Sequence, residues 1–474
     1  MATLLKVLNN LADIKSEGVL HFASELRPRP GISDCDRDFA QTFLEPFRAW
    51  RHVQGEKAMT TLHKQVSMPG VDQPPVILLG GESNVLSIAR SLSKVGVKVY
   101  AINYPDVSSL RSRYLTRIAI RGDSREVENW RDYLLSSASD HLKGAVLFCC
   151  GDQAIMLLIE NWDALSARFV LEACPRETRA RLLDKQLTYE STSSCGVAQP
   201  KFWSLQAGDG IDKVARTCLY PVILKPRLQW HWVLIGAKYL RANSLQELKR
   251  VYQRCADLNI PVVAMEFIPG GDDLSCSYYT YIDETGIPLV QFTKRLLRRH
   301  PANKGDSSYH ISDRNPEVAE KGLRLFQHVG LRGLGNVEFK RDQRDGEWKL
   351  IEINARFSGG NALVTRSGID LALLSYSQLT GRHYEIPRSY ELDRVMLDPI
   401  ADFLAFRELN AIGELTLTQW LRQIMRADVT LNLDWRDPLP ALHYLAMNAR
   451  FGARLVMTRR EAIPDQAPER RRPC

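Results

Sequence analysis

The chain has 474 residues, enough for roughly two to four domains of ordinary size. Hydrophobic residues make up 45% and charged residues 25% of the sequence, as is usual for a globular protein with a sizeable core. The net charge of +8 is modest, and no compact basic stripe with interleaved aromatic residues indicates a nucleic-acid partner. No apolar run has the length of a membrane span, and the start lacks a signal-peptide pattern.

The cysteines argue against zinc and against a disulfide framework. There are nine of them, an odd number, with no Cys-x-x-Cys and no His/Cys spacing typical of a zinc site. Cys149 and Cys150 are adjacent within an apolar run that is typical of a strand. We interpret the cysteines as reduced, mostly buried thiols and predict a cytoplasmic protein.

The first α/β unit follows an N-terminal extension, which we assign to residues 1–72. Val76–Leu79 is a predicted buried strand, Gly80–Asn84 is a turn, and a helix and a second strand come next. This order predicts a doubly wound α/β domain over residues 73–180. The turn lacks G-x-G-x-x-G spacing, so NAD binding is not expected. Its backbone N–H groups at a helix N-terminus suit an anion, and a substrate carboxylate could bind there beside Asn84.

Two charged residues near predicted strand ends suggest ligand contacts. Asp152 follows the strand Ala145–Cys150, where it could contact a ligand or cap the next helix, and the sequence leaves both roles open. Lys225 lies near the end of the apolar strand Tyr220–Pro226. A lysine there needs an anionic partner or access to solvent, and a phosphate would be such a partner.

A β-hairpin farther along the chain carries the clearest chemistry. Gly335–Lys340 and Leu350–Asn354 alternate apolar with polar residues, and the charged run Arg341–Glu347 is the turn between them. Residues two apart on a strand share a face. We therefore expect the polar side chains of the two strands to meet on one face of the hairpin.

Three of those side chains carry oxygen ligands. Glu352 and Asn354 share a face, and Glu338 can meet them from the neighbouring strand. Such an oxygen-only set suits Mg²⁺, which takes one or two protein carboxylates and leaves its other positions to water and phosphates. Arg356 continues the same face as a fixed positive fork. Ordinary exposed acids on a strand are the alternative explanation.

An ordered series of motifs resembles the ATP-grasp superfamily. Within residues 73–445, the Gly80-Gly81-x-x-Asn84 start and Asp437–Pro440 are similar to its predicted carboligases, which include relatives of D-aspartate ligase. No motif in this range is out of order. The series consists of Lys185, Lys225, Glu266–Gly270, Glu338 and Glu352-x-Asn354.

The resemblance implies an α/β fold with α+β lobes. The N-terminal doubly wound domain is followed by a two-lobed ATP-grasp domain over residues 181–385, with lobes of about 181–262 and 263–385. The residue pattern itself predicts a mainly helical C-terminal region over residues 386–474, with a disordered tail after Pro464. We assign this last region to packing or oligomer contacts, compatible with a homodimer.

The resemblance also implies a role for each matching residue. Lys185 and Lys225 would hold the α- and β-phosphates of ATP. Lys294 or Arg298 would approach the γ-phosphate, and Arg356 would stabilise the transferred phosphoryl group. Adenine would be held by Glu266, Phe267 and Ile268, the ribose by Asp273, Mg²⁺ by Glu338, Glu352 and Asn354, and the substrate by Asn84, Asp152 and Arg356.

The implied activity is an ATP-dependent carboxylate–amine ligase. It would activate a small-molecule acid as an acyl phosphate and join it to an amine, with Mg²⁺, or alternatively Mn²⁺, as the metal. A small-molecule kinase of the same fold and a non-catalytic nucleotide-binding protein are the alternatives. One departure concerns Arg227–Trp232, where many family members have a glycine-rich loop. Arg227, His231 or Lys238 could replace its phosphate contacts.

Overall fold

The structure is a computed structural model that describes residues 73–120, 126–205, 210–302 and 304–448. The chain divides into two compact units, Glu56–Leu431 and a unit formed by Met1–Gly55 with Asn432–Cys474. In the second unit, residues 432–448 are described, and residues 439–448 of them are helical. The predicted extension over residues 1–72 and the predicted tail after Pro464 lie outside the described residues. All three sheets belong to the Glu56–Leu431 unit.

The first sheet is parallel and has the predicted doubly wound character. Its strand order is β3-β2-β1-β4, and β1 is buried over its whole length because both faces of the sheet are covered. Val76 and Leu78 pack in one apolar cluster, and Ile77 and Leu79 pack in another. The predicted strand–turn–helix unit at its centre is therefore confirmed. The strands are β1 (Val76–Leu79), β2 (Val99–Asn103), β3 (Thr116–Ala119) and β4 (Val146–Cys149), and the helices are α1 (Ser83–Lys94), α2 (Glu126–Leu135), α3 (Asp152–Glu160) and α4 (Trp162–Ser166).

The second sheet is antiparallel, in the order β5-β8-β6-β7. The apolar residues of β6 and β8 pack against Leu248 and Cys255 of an amphipathic helix, which buries one face of the sheet. The elements are α5 (Arg176–Leu183), α6 (Lys185–Thr192), β5 (Phe202–Ser204), α7 (Gly210–Thr217), β6 (Val222–Pro226), α8 (Trp232–Ile235), β7 (Leu240–Ala242), α9 (Leu245–Asp257) and β8 (Val262–Glu266).

The third sheet has seven strands in the order β13-β12-β9-β10-β11-β14-β15. Its core contains Tyr278, Val337 and Phe339, which pack with Phe326 of a covering helix. The elements are β9 (Ser275–Ile282), β10 (Pro288–His300), β11 (Asp306–Asp313), α10 (Pro316–His328), β12 (Gly333–Arg341), β13 (Trp348–Asn354), α11 (Asn361–Arg366), α12 (Leu371–Thr380), β14 (Val395–Leu397), α13 (Pro399–Ala411), α14 (Leu417–Ile424) and β15 (Val429–Thr430).

The region after residue 385 differs from the expectation in one respect. It contains α13 and α14 as predicted, and Thr416 caps α14 together with Gln419 in a capping box. It also supplies β14 and β15 to the third sheet, since β14 pairs with β11. These strands are only three and two residues long, too short to show alternation in the sequence.

Two further observations concern the cysteines and the helices. The cysteines of the described residues, Cys149 and Cys150 among them, are all free thiols. Among the described residues, no helix combines the length and the apolar character needed to cross a membrane.

Candidate active site

An open cleft with about 960 Å³ of space lies between the second and the third sheet. The second sheet contributes β6, which carries Lys225, and β8, which leads into the segment Glu266–Ile268 predicted to hold adenine and called the hinge below. The third sheet contributes the hairpin of β12 and β13. Residues that are far apart in the chain therefore face one space. The predicted residues that line it are Lys185, Lys225, Glu266, Phe267, Ile268, Glu338 and Glu352.

The two carboxylates of the hairpin lie directly opposite each other. Glu338 of β12 is in register with Glu352 of β13, so their side chains share a face. Burial tends to raise the pKa of Glu338, but the charges of Arg299, Lys294 and Lys225 lower it below its ordinary value. The Glu338 carboxyl is therefore ionised at neutral pH, which is the form that binds a cation.

Asn354 belongs to the same face but opens to an adjoining pocket. It is in register with Asn336, and its pocket is also lined by Lys185, Glu352 and Asp152. Within the described residues, no group of three or more His, Cys, Asp or Glu is arranged to hold a metal by itself. Two carboxylates with an amide oxygen fit Mg²⁺, which completes its octahedron with water and phosphate oxygens.

Two lysines face the carboxylates from the other wall of the cleft. Lys225 is only 9% exposed, and burial lowers its pKa to about 8 although Glu352 favours the charged form. Lys185 is the first residue of α6, which Asp184 caps by accepting from two backbone N–H groups. Burial also lowers the pKa of Lys185, and its ammonium donates to the side-chain oxygen of Gln229. Two cations thus lie where a polyphosphate would give them partners.

The hinge lines the cleft as expected, but the aspartate beside it is Asp272 and not the predicted Asp273. Phe267 and Ile268 border the space, and Glu266 Oε1 accepts from Arg344 Nη1 at 2.7 Å. The carboxylate of Glu266 is thus fixed by a charge-assisted bond. The structure leaves Asp273 exposed and outside the cleft, whereas the preceding Asp272 lines it.

Lys294 is buried in β10, beside the cleft. Its ammonium donates to His310 Nδ1 at 2.9 Å, and burial lowers its pKa to about 8 although Glu338 favours the charged form. The pKa of His310 is well below its ordinary value because of burial and the Lys294 charge, so the imidazole is neutral. The loop after β13 packs closely against Tyr279 and Lys294 at Gly360. A Cβ at this position would overlap the Tyr279 hydroxyl and the Lys294 side chain, so only glycine fits.

The structure brings Arg299, not Arg298, to the cleft. Arg298 forms a two-bond ion pair with Asp402 of α13, at 2.8 and 3.0 Å, and lies over the ring of Tyr309. Arg299 lines the cleft and contacts Glu338. Neighbouring side chains on a strand point to opposite faces. The pairing of β10 with β11 shifts register between residues 296 and 299, so simple alternation from Lys294 does not predict which of the two arginines faces the cleft.

The three residues predicted to contact substrate hold parts of the structure together. Arg356 and Asp152 form an ion pair in which both side chains are mostly buried. Asn84 Nδ2 donates to the carbonyl oxygens of Cys150, at 2.8 Å, and Phe357, at 2.9 Å. The amide therefore joins the turn after β1 to the end of β4 and to the loop after β13. Both hydrogens of the Asn84 amide are therefore donated to groups of the protein itself.

Several cleft residues were missed by sequence reasoning. Of the proposed replacements for a glycine-rich loop, Lys238 lines the cleft and pairs with Asp306, whereas Arg227 pairs with Asp184 at 2.6 Å. Charged residues in loops give no periodic signal, so only the absent glycines pointed to this segment. Other polar residues that line the cleft include Gln229, Asp272, Arg299 and Lys340.

Comparison with known proteins gives the architecture a name. The family described as "ATP-grasp in the biosynthetic pathway with Ter operon" matches residues 283–396. Over 320 residues the chain is 25% identical to D-aspartate ligase from Enterococcus faecium, an alignment that covers 62% of this chain and 74% of that protein. The biotin carboxylase domain of 2-oxoglutarate carboxylase from Hydrogenobacter thermophilus, solved with MgADP, is similar in structure, with a TM-score of 0.53 and 15% identity. That similarity covers 69% of this chain and 74% of the other. The chain has the ATP-grasp fold.

A shorter alignment points in the same direction. D-alanine–D-alanine ligase from Ralstonia pickettii is 26% identical over 184 residues, which cover 37% of this chain and 54% of that ligase. The predicted ATP-grasp fold and the predicted resemblance to the D-aspartate ligase group are therefore confirmed. In this ATP-grasp fold, the cleft between the second and third sheets carries the lysines, the hinge and the paired carboxylates together.

Proposed function

We propose that the protein is an ATP- and Mg²⁺-dependent ligase that joins a small-molecule carboxylate to an amine and releases ADP and phosphate. One observation carries the proposal: Lys185 and Lys225 face Glu338 and Glu352 across a single cleft. The similarity to D-aspartate ligase and to D-alanine–D-alanine ligase supports the choice of an amide-forming reaction.

The residues of the cleft fall into three groups, which would bind the phosphates, the adenine base and the metal. Lys185 and Lys225 would hold the phosphates of ATP, and the backbone of Phe267 and Ile268 would hold adenine. Glu338, Glu352 and Asn354 would hold Mg²⁺, or Mn²⁺ in its place, which would neutralise charge on the phosphates.

The reaction proceeds in two displacements. A carboxylate oxygen of the acid attacks the γ-phosphorus, and the bond to the β-phosphate oxygen breaks to release ADP. The amine then attacks the carbonyl carbon of the acyl phosphate, loses a proton and displaces phosphate. Phosphoryl transfer depends mainly on position and charge neutralisation, so buried cations such as Lys294 and Arg299 matter more than a nucleophile. Arg356, held by Asp152 next to the Glu352 pocket, would face the transferred group.

The test is an activity screen with a matched pair of variants. The protein is incubated with ATP, MgCl₂ and a panel of D- and L-amino acids, with and without hydroxylamine, and ADP, phosphate and hydroxamate are measured. We expect ADP release that depends on a particular acid, and a hydroxamate from the trapped acyl phosphate. Glu352→Gln should abolish turnover in a folded protein. Glu347→Gln, an exposed acid in the turn of the same hairpin, should have no effect.

Three outcomes would contradict the assignment. The absence of ADP and hydroxamate with every acid would argue against a ligase and for a nucleotide-binding protein. A stable phosphorylated product without free phosphate would indicate a kinase. Full turnover by Glu352→Gln would remove the proposed metal site. The cytoplasmic location and the homodimer remain predictions, to be tested by fractionation and by sedimentation.

A further inference from the structure

A single guanidinium in the cleft contacts two acids from different parts of the site. Arg299 Nε lies 2.8 Å from Asp272 Oδ1, and Arg299 Nη2 donates to Glu338 Oε1 at 3.3 Å. All three side chains line the cleft, and that of Arg299 is 16% exposed. Asp272 follows the hinge strand β8, whereas Glu338 belongs to the proposed metal site. Arg299 therefore connects the nucleoside end of the cleft with its metal end.

The contact with Glu338 places two cations in competition for one carboxylate. A divalent ion bound at Glu338 and Glu352 would share the carboxylate whose Oε1 now accepts from Arg299, and its charge would compete with the guanidinium for that group. The guanidinium would also repel that ion, because like charges a few ångströms apart interact strongly in a site shielded from water. Lys225 and Lys185 add to this repulsion from the opposite wall.

A polyphosphate would relieve the competition. Its oxygens would give Arg299 new partners in the same cleft, since guanidinium groups bind phosphate through charge-assisted bonds. The Glu338 carboxylate would then be available to the metal. Asp272, the second acid that shares the guanidinium, would remain beside its Nε.

We propose, on the basis of the ligase function proposed above, that Arg299 is a positioning residue that makes metal binding depend on bound nucleotide. Without nucleotide, the Arg299 guanidinium contacts the Glu338 carboxylate. When nucleotide binds, the guanidinium contacts its phosphates instead, and Glu338 becomes available to the metal. The free metal ion then binds weakly, and the metal–nucleotide complex binds well.

The experiment measures the affinities for Mn²⁺ and for ADP separately. Loss of the proposed role should change these two affinities in opposite directions, whereas a purely structural defect would weaken both. Binding of Mn²⁺ alone is followed by electron paramagnetic resonance, and binding of ADP alone, in EDTA, by calorimetry. Arg299→Gln should bind Mn²⁺ about ten-fold more tightly and ADP about ten-fold more weakly than wild type, since each charge-assisted contact contributes roughly that factor. Arg299→Lys, which keeps the charge, should bind Mn²⁺ like wild type. Arg295→Gln, on the same strand but paired with Asp313 outside the cleft, is the control and should change neither value.

A second variant keeps the test independent of the folding of Arg299→Gln. Asp272→Asn removes the competing acid, so Arg299 should hold Glu338 more firmly and Mn²⁺ alone should bind more weakly than to wild type. Unchanged or weaker Mn²⁺ binding by folded Arg299→Gln, or unchanged binding by Asp272→Asn, overturns the inference. If wild type binds MgADP and these shifts are absent, only the role of Arg299 fails. If wild type binds no MgADP, the proposed function fails as well.

Discussion

Lys225→Met should stabilise the protein while it removes nucleotide binding. The Lys225 ammonium lies buried on β6, and burial lowers its pKa from 10.5 to about 8. This shift already includes the favourable charges of Glu352 and Glu338, so the charged lysine is disfavoured overall. Methionine keeps the apolar stem and removes the charge, with little change in volume.

The size of the effect follows from the pKa shift. One pKa unit corresponds to about 1.4 kcal/mol, so a shift from 10.5 to about 8 corresponds to about 3 kcal/mol. At pH 7 the lysine is charged in both the folded and the unfolded chain, and the whole penalty is present. We therefore expect Lys225→Met to raise the free energy of unfolding by up to about 3 kcal/mol at pH 7.

The pH dependence has a definite sign. Between pH 8 and 10.5 the unfolded chain binds more protons at Lys225 than the folded chain does, so the stability of wild type rises with pH. The difference between wild type and Lys225→Met should therefore shrink above pH 8 and disappear near pH 10.5. Lys294 titrates in both proteins and cancels from this difference.

The assay is urea unfolding at pH 7 and at pH 10, followed by tryptophan fluorescence and circular dichroism. Lys249→Met, an exposed lysine on α9, is the control and should change stability by less than about 0.5 kcal/mol. MgADP should stabilise wild type but not Lys225→Met. A Lys225→Met protein that is less stable than wild type at pH 7 would refute the reasoning, and so would a stability difference between the two proteins that is the same at pH 7 and at pH 10.

Two further substitutions test contacts around the cleft. Asn84→Ala removes two buried hydrogen bonds, to the carbonyl oxygens of Cys150 and Phe357, and should lower the free energy of unfolding by about 2–3 kcal/mol, measured by urea unfolding. An Asn84→Ala protein as stable as wild type would contradict the assigned structural role. Gly360→Ala adds a Cβ that overlaps the Tyr279 hydroxyl, and should cost about 1–3 kcal/mol and impair turnover. Its test is the same unfolding curve with an ADP-release assay, and full activity would contradict the close approach.

The parts of the site that the sequence predicted are those specified by local pattern. Glu338 and Glu352 could be paired because alternation identifies both strands and a charged turn joins them, and the observed register places them directly opposite each other. The lysine of β6 was recognisable because a charge in an otherwise apolar strand needs a partner. These arguments use only residues that are close in the chain.

The remaining positions depend on contacts between distant segments. The sequence gives no sign that the Asn84 amide joins two carbonyl groups 66 and 273 residues away. The choice between Asp272 and Asp273 depends on a short 3-10 helix over Asp272–Leu274, which sets which carboxylate turns toward the cleft. A polar residue in a loop has no period that would fix its direction.

Helix α13 does not line the cleft, but it affects which arginine of the β10 bulge faces it. Side chains alternate along a strand, so a shift of one residue would exchange the directions of Arg298 and Arg299. The Arg298–Asp402 pair opposes that exchange, because Asp402 is fully buried in α13 and would be left there without its guanidinium partner. Breaking a buried pair on one side costs about 3–5 kcal/mol, far more than an exposed pair contributes. Helix α13, which lies in the region predicted to serve packing or oligomer contacts, thereby keeps the neighbouring Arg299 directed at Glu338.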